Sequence, residues 1–143
     1  MVVLVCAVAL SLVLGFALRR RNGRFTSANA PADAAAPPAS AARPVSPLAE
    51  FARGERATLL QFSSAFCAPC RATRRTLAEV SEAVPGVAHV EVDAESHLEL
   101  VRACGIEVTP TTVVLDADGA EVARATGAPT RPQVLRALGH AVD

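Results

Sequence analysis

The stretch ATLLQFSSAFCAPCR, residues 57–71, joins an uninterrupted apolar run to two cysteines that are separated by two residues. The apolar run predicts a buried, central strand. Beyond the second cysteine, apolar residues recur at helical spacing on one face as far as Val84, where a Pro-Gly pair follows. The sequence therefore predicts a strand that delivers Cys67 and Cys70 to the start of an amphipathic helix over 70–84.

The start of a helix has a chemical consequence for the two cysteines. Free N–H groups and the partial positive charge of a helix N-terminus favour an anion, so the pKa of the Cys67 thiol should fall below the ordinary value of about 8.5. Cys67 is then the attacking sulfur, and Cys70, shielded within the first turn, is the resolving thiol. Pro69 costs no intrahelical hydrogen bond in a first turn and keeps the pair stiff.

A metal site and a structural disulfide are the alternatives to electron exchange by this pair. Thiolates suit Cu(I) or Zn(II), and copper-carrying domains also place a CxxC motif between a strand and a helix. Four-coordinate zinc needs more than two ligands, however, and the sequence has no second CxxC motif. About 95 residues surround the motif, enough to form a core without a covalent staple. The pair is therefore free for redox chemistry.

The remaining patterns predict the element order αβαβαββα. Capping boxes begin at Ser96 and at Thr130, each with Glu or Gln three residues later, and the Asp-Gly pair at 118–119 is a hairpin signal. No strand is visible before the first helix, although Val45 and its neighbours could supply one. The predicted elements are helices over 48–53, 70–84, 97–104 and 132–140 and strands over 57–62, 87–92, 111–116 and 121–126.

Three stretches together resemble the thioredoxin family: LLQFSSAFCAPCR at 59–71, VEVDAE at 90–95 and GIEVTPTTVVLDADGAEVARATG at 105–127. They carry a Cys-x-Pro-Cys motif after a central strand, and a Thr-Pro step before a β-hairpin that a glycine closes. The resemblance covers the chain from about residue 48 to its end. It implies an α/β, thioredoxin-like fold with a central mixed sheet flanked by helices.

The resemblance also implies which residues shape the active site. In the family, the proline at the position of Pro110 has a cis peptide bond and lies against the cysteine pair, where the backbone of the preceding residue, here Thr109, contacts the substrate. Phe66, Ala68 and Pro69 are expected to complete the substrate-contacting surface around the pair. Without the resemblance, Pro110 would be interpreted as a proline at the start of a strand.

Three positions depart from the family pattern. Phe66 stands where a Trp is usual, and Gln61 stands where thioredoxins usually carry a buried Asp that moves a proton on or off the resolving thiol, which an amide cannot do. His89, on the adjacent strand, occupies a position where a Lys is common. One hypothesis is that His89, with an unperturbed pKa of about 6.5, acts with Gln61 as a proton relay. The alternative is a partly exposed strand histidine without a catalytic role.

The N-terminal residues predict a membrane anchor. Residues 1–18 contain no charged side chain and precede RRRNGR, and about 17 to 25 apolar residues suffice for a transmembrane helix. A cleaved signal peptide is the alternative, because ANA at 28–30 resembles a cleavage site. Residues 19–46 combine a basic flank with an Ala/Pro-rich, disordered linker, and a thioredoxin-like domain follows over 47–143. Because the flanking arginines all follow the span, this domain is expected on the cytoplasmic side.

The composition of the chain bears on which partners it can bind. Fourteen basic residues, all Arg, balance 14 Asp and Glu, and Trp and Tyr are absent, which argues against nucleic acid as a partner. The sequence predicts a monomeric, membrane-tethered thiol-disulfide oxidoreductase that reduces protein disulfides and serves cell redox homeostasis. Its electrons are expected from a thioredoxin-reductase-like or membrane donor. No cofactor and no metal are predicted. The alternatives are a Cu or Zn module and an extracytoplasmic protein that reduces exported apo-cytochrome or other cysteines. Cys104 is interpreted either as a regulatory thiol or as a small apolar helix residue.

Overall fold

The structure, a computed structural model, describes residues 2–21, 23–27 and 47–142. Short loops connect its elements between Pro47 and Val142. The helices are α1 (Val2–Arg21), α2 (Ala68–Ala83), α3 (Leu98–Ala103) and α4 (Arg131–Gly139), with a 3-10 helix at Ala49–Phe51, and the strands are β1 (Phe25–Ser27), β2 (Ala57–Ser63), β3 (Val87–Asp93), β4 (Thr111–Asp116) and β5 (Glu121–Thr126).

The described strands form one mixed sheet in the order β1-β5-β4-β2-β3. β2 pairs in parallel with β3, where Gln61 lies opposite Glu91, and antiparallel with β4, where Gln61 lies opposite Thr112. β4 and β5 form the expected antiparallel hairpin. The predicted α/β fold, a central mixed sheet flanked by helices, is confirmed.

Strand β2 lies at the centre of the core, and all seven of its residues are buried. Its side chains alternate between the two faces of the sheet. Ala57 and Leu59 pack in one apolar cluster with residues of α2 and α4, whereas Leu60 and Phe62 pack in a second cluster on the other face. Full burial of a large apolar side chain such as Leu59 or Phe62 contributes about 1.5–3 kcal/mol. By the same alternation, Gln61 shares the face of Leu59, on which α2 lies.

Helix α2 begins at Ala68, two residues before the predicted start at Cys70. The reason is a cap: Cys67 has extended backbone angles, and its Sγ accepts a hydrogen bond from the Cys70 N–H at 3.1 Å. The helix ends at Ala83, with Val84 as its C-cap. The predicted buried face is present, since Cys70 and Leu77 are fully buried together with Thr73 and Val80.

Strand β1 corrects the prediction that residues 19–46 are a linker throughout. Phe25–Ser27 pairs antiparallel with β5 at the edge of the sheet, and Phe25 packs against the cluster of Leu59. The chain enters this strand through Gly23, whose N–H donates to the Thr126 carbonyl at 2.7 Å. Three residues around a single large apolar side chain give too short a pattern to predict a strand. The rest of the predicted linker, including Val45, lies outside the described residues.

The two predicted capping boxes have different outcomes. At the start of α4, the Thr130 N–H donates to Gln133 Oε1 at 2.7 Å, as the second box predicts. The box at Ser96 is wrong, because the N-cap of α3 is His97 and the Ser96 hydroxyl donates to the carboxylate of Asp93 instead. Asp93, at the end of β3, competes successfully for that hydroxyl.

The N-terminal helix α1 runs through the segment for which an anchor was predicted. Its side chains are described from Cys6 to Ala17. No helix within the described residues is long and apolar enough to cross a membrane. The predicted transmembrane anchor over residues 1–18 is therefore not confirmed.

Candidate active site

Cys67 and Cys70 form a disulfide at the N-terminal end of α2, with their Cα atoms 5.2 Å apart. The two sulfurs differ in environment. Cys70 is 1% exposed, whereas Cys67 lies partly exposed at the surface. A partner molecule can therefore approach Cys67 but not Cys70, which agrees with the roles predicted for the attacking and resolving sulfurs.

The cap at Cys67 also bears on reactivity. The Cys70 N–H that donates to Cys67 Sγ belongs to the first turn of α2, where N–H groups have no intrahelical acceptor. The same donor is available to a thiolate once the disulfide is reduced, and the helix dipole favours negative charge at this position. Both effects favour Cys67 as the nucleophile.

The loop before β4 brings Thr109 and Pro110 to the cysteine end of β2. The Thr109–Pro110 peptide bond is cis, as the resemblance implied, and Pro110 is buried. The Thr109 hydroxyl is hydrogen-bonded to the hydroxyl of Ser64, with 2.9 Å between the oxygens. Ser64 directly follows β2 and precedes Cys67 by three residues. This contact fixes the Thr109 loop to the segment that carries the cysteines.

Sequence reasoning missed Ser64 as a site residue. Its partner is 45 residues away in the sequence, and no local pattern signals a hydrogen bond over that separation. The resemblance located Thr109 and Pro110, but it did not indicate what holds them in place.

The surface around Cys67 is apolar. The side chain of Phe66 is 101% exposed, and that of Val108, in the Thr109 loop, is 53% exposed. Ala68 and Pro69 are exposed in the first turn of α2. Phe66, Ala68 and Pro69, three of the positions predicted to contact substrate, thus lie at the surface next to the accessible cysteine.

Gln61 contacts the buried side of the cysteine pair. Its side chain is fully buried, and its Nε2 donates to the Cys70 carbonyl at 3.0 Å and to Ser63 Oγ at 2.7 Å. Its Oε1 lies 3.2 Å from His89 Nε2. The two residues predicted as a possible proton relay, Gln61 and His89, are thus in contact.

Donor and acceptor rules fix the orientation of this network. The Cys70 carbonyl can only accept, so the amide nitrogen of Gln61 must face it and the amide oxygen must face His89. Since Oε1 can only accept, His89 Nε2 donates, and a neutral His89 carries its proton on Nε2. The amide thus links His89 to the backbone oxygen of Cys70. A direct contact with the Cys70 sulfur is not part of this network, and the proton relay stays a prediction.

The electrostatic setting of His89 includes an ion pair that the sequence did not predict. Burial lowers the pKa of His89; the carboxylate of Glu91 raises it and the guanidinium of Arg74 lowers it, to smaller extents. Arg74 on α2 binds Glu91 on β3 through two hydrogen bonds, of 2.6 Å and 2.8 Å. The pair joins the helix that carries Cys70 to the strand that carries His89.

Cys104 does not join the cysteine pair. It is the C-cap of α3 and is half-buried, and its carbonyl accepts a hydrogen bond from Arg124. Burial raises the pKa of its thiol. At neutral pH this thiol should therefore react more slowly than an exposed cysteine.

Comparison with known proteins assigns the family. Residues 48–142 match the family model of the thioredoxin-like domain. The chain belongs to that family. Thioredoxin-2 of Pyricularia oryzae is 30% identical over 89 residues, which are 62% of this chain and 52% of that protein. Thioredoxin H-type of Oryza sativa subsp. indica is 29% identical over 73 residues, which are 51% of this chain and 59% of the rice protein. The chain thus spans only between half and three-fifths of these two relatives.

The solved structures agree with this assignment. Thioredoxin F from spinach chloroplast superposes with a TM-score of 0.57 at 26% identity, over 68% of this chain and 85% of the spinach chain. Thioredoxin from Fasciola hepatica superposes with a TM-score of 0.55 at 24% identity, over 62% of this chain and 83% of that chain, and shows the fold alone. The protein is therefore a thioredoxin-like protein with its CxxC pair at disulfide distance.

The metal alternative requires additional ligands. Within residues 2–21, 23–27 and 47–142, no three His, Cys, Asp or Glu side chains cluster in a way that could hold a metal ion. A thiolate pair alone leaves a tetrahedral zinc ion short of ligands.

Proposed function

We propose that this protein is a thiol-disulfide oxidoreductase that reduces disulfides in other proteins. The observation that carries the proposal is the asymmetry of the cysteine pair. Cys67 is accessible, caps α2 and accepts a first-turn N–H, whereas Cys70 is buried behind it. An accessible nucleophile with a shielded resolving thiol suits transient mixed disulfides, whereas a structural disulfide needs no such difference.

The reaction proceeds through two thiol-disulfide exchanges. The Cys67 thiolate attacks one sulfur of the substrate disulfide, which forms a mixed disulfide and releases the first substrate thiolate. The Cys70 thiolate then attacks Cys67 Sγ, which forms the Cys67–Cys70 disulfide and releases the second substrate thiolate. Two electrons pass to the substrate. An external dithiol or reductase must return two electrons to the pair before the next cycle.

The surroundings of Cys67 suit a polypeptide substrate. Phe66, next to Cys67 in the sequence, and Val108, next to Thr109, offer exposed apolar surface. The backbone of Thr109 next to the cis bond is proposed to pair with the extended substrate chain, and the bond from Ser64 holds that loop in place. A small disulfide would use the sulfurs without this surface.

Cysteine variants test the proposal. The full-length protein is assayed for reduction of insulin disulfides with dithiothreitol as the electron source. Cys67→Ser should abolish catalysis above the rate with dithiothreitol alone, and Cys70→Ser should accumulate a mixed disulfide through Cys67. Cys104→Ser is the matched control and should keep the wild-type rate. Insulin reduction by Cys67→Ser at the wild-type rate would contradict the proposal.

The proposed location is a membrane surface, with the domain on the cytoplasmic side. Two observations support a tether: residues 1–18 carry no charged side chain, and α1 exposes large apolar side chains, among them Leu10 at 71% and Leu12 at 68%. Four arginines, at 19–21 and 24, follow that segment, and basic residues favour the cytoplasmic flank of a membrane segment.

Fractionation and labelling test the location. In a bacterial host, the full chain should sediment with the membranes, and a chain with Val8, Leu10 and Leu12 replaced by Asp should be released into the soluble fraction. A maleimide that cannot cross membranes should fail to label Cys67 in intact spheroplasts and should label it after lysis. Labelling before lysis would place the domain outside and favour reduction of exported proteins.

A further inference from the structure

A polar cavity lies between β1 and α4. We call it the β1–α4 pocket. Its volume is about 280 Å³, and its apolar floor is formed by Phe25 of β1, Ala123 of β5 and Ala137 of α4. Its polar lining is Arg24, Gln133, Arg136 and His140. No residue of the mechanism proposed above belongs to it.

The polar side chains converge from two separate segments. Gln133, Arg136 and His140 recur at helical spacing, so they lie on one face of the α4 segment. Arg24 reaches the pocket from the start of β1. Its backbone is held on both sides, because Gly23 donates to the Thr126 carbonyl and Phe25 pairs with Ala125.

The close approach of this segment depends on glycine. Gly23 has a φ of 74°, and a Cβ placed on it would lie 2.4 Å from the carbonyl oxygen of Ala128. Any other residue would push the segment away from the sheet. The position of Arg24 over the pocket is thus fixed by the backbone.

The side chains that line the pocket offer hydrogen-bond donors to a ligand. The oxygen of the Gln133 amide already accepts from the Thr130 N–H, which leaves its NH₂ group for the pocket. The guanidinium groups of Arg24 and Arg136 can only donate. No carboxylate of the described residues lines the cavity, and within the described chain Arg24, Arg136 and His140 form no ion pair.

The dipole of α4 explains the positions of only some of the basic side chains that line the pocket. Arg136 and His140 lie in the last turn and at the C-cap of α4, where positive charge is favourable because of the helix dipole. Arg24 belongs to another segment, so the preference of a helix for basic residues in its own last turn does not explain why Arg24 lines the pocket. In a chain whose formal charge is zero, a pocket lined by two guanidinium groups and by no carboxylate of the described residues is a local excess of positive charge.

We propose that the β1–α4 pocket binds an anion of the phosphate type. Phosphate presents several acceptor oxygens, and arginine matches them with paired donors. The phosphate can come from a lipid headgroup or from a soluble phosphate compound. A headgroup is the ligand if the tether proposed above holds, because Arg24 lies three residues beyond the end of α1 at Arg21.

A phosphate titration followed by NMR tests the proposal. The full chain in micelles of an uncharged detergent is titrated with inorganic phosphate, and the imidazole resonances of its three histidines are assigned with His→Gln variants. The His140 resonance should shift saturably, and that of His97 should not. Arg24→Gln and Arg136→Gln should each raise the apparent Kd about tenfold or more, whereas Arg75→Gln on the exposed face of α2 is the matched control and should leave it unchanged.

Experiments with lipid vesicles identify the source of the phosphate, and the titration itself gives the results that would overturn the proposal. If vesicles that contain phosphatidylglycerol abolish the phosphate-dependent shift while phosphatidylcholine vesicles do not, a lipid headgroup occupies the pocket; if neither does, the ligand is a soluble phosphate. The proposal is overturned if His140 shows no saturable shift, or if the shift survives both arginine substitutions. Insulin reduction by the two arginine variants should equal the wild-type rate, which separates failure here from failure of the proposed redox function.

Discussion

The two sides of the Cys67–Cys70 disulfide differ in chemistry. The outer side is accessible and apolar, with Phe66 fully exposed next to Cys67. The inner side is buried and polar, with Gln61 bound to the Cys70 carbonyl and to His89. The comparison shows that one short motif separates two environments: the outer side is open to a molecule that approaches Cys67, and the inner side is hydrogen-bonded to the first turn of α2.

The largest effect, a loss of stability, is expected from a substitution in the apolar part of β2, the strand that supports both sides of the disulfide. Leu59→Ala removes a fully buried side chain from the cluster that packs β2 against α2 and α4. The free energy of unfolding should fall by about 2–5 kcal/mol. Urea unfolding of the oxidised protein measures this, with Leu135→Ala on the exposed face of α4 as the control. A loss below about 1 kcal/mol would show that the core does not depend on this strand as described.

A smaller effect is expected from the polar part of the same strand face. Gln61→Leu leaves the Cys70 carbonyl, the Ser63 hydroxyl and His89 Nε2 without their common partner. Unsatisfied buried groups cost about 1–3 kcal/mol, so urea unfolding should show a loss of that size. Gln61→Glu separates packing from polarity, because it keeps the shape and removes the donor to Cys70. Equal stability of wild type and Gln61→Leu would mean that the network does not hold the turn.

On the outer side, Phe66→Ala should change catalysis and leave stability unchanged. The side chain has no burial to lose, since it is fully exposed. Loss of an apolar contact with substrate should lower kcat/KM for insulin up to about tenfold, or about 1.4 kcal/mol. The rate with a small disulfide such as 5,5'-dithiobis(2-nitrobenzoate) is the internal control and should stay the same. A parallel fall for both substrates would argue against a substrate-contacting role.

The smallest effect is expected on the pH dependence of stability. Burial lowers the pKa of His89 in the folded protein, so protonation favours the unfolded state. The stability that the neutral imidazole provides should be complete above the unfolded pKa of about 6.5 and should be lost as the pH falls below it. Urea unfolding between about pH 7 and about pH 5 should therefore show a steeper loss for wild type than for His89→Gln.

The same variant tests the proton relay. If His89 moves a proton for Cys70, His89→Gln should change the pH dependence of insulin reduction. An unchanged profile would rule out the relay and leave His89 as a hydrogen-bond donor to Gln61.

Local patterns predicted most of the fold and the outer side of the site. The apolar run of β2, the amphipathic face of α2 and the Asp-Gly turn before β5 each depend on a few neighbouring residues, and the resemblance added Thr109 and Pro110. These elements lie close to their predicted bounds. Pairing over long sequence separations could not be predicted in this way. Ser64 meets Thr109 across 45 residues, and β1 exists because β5 offers an open edge to three residues around Phe25.

The failures at element ends have physical causes as well. The start of α2 moved to Ala68 because a cysteine sulfur, which is not among the usual cap groups, accepts the first-turn N–H. The capping box at Ser96 failed because Asp93 took the hydroxyl. Gln61 and His89 could be singled out because they depart from a family pattern, but their common link to the Cys70 carbonyl required the structure.

Alkylation of the reduced protein tests the asymmetry of the cysteine pair most directly. The full chain carrying Cys6→Ser and Cys104→Ser is reduced and treated with iodoacetamide at neutral pH, and the two remaining thiols are followed separately by mass spectrometry of peptides. The structure predicts that Cys67 is alkylated at least about tenfold faster than Cys70, because it is accessible and lies at the helix N-terminus. Equal rates, or faster alkylation of Cys70, would contradict the assignment of attacking and resolving sulfurs.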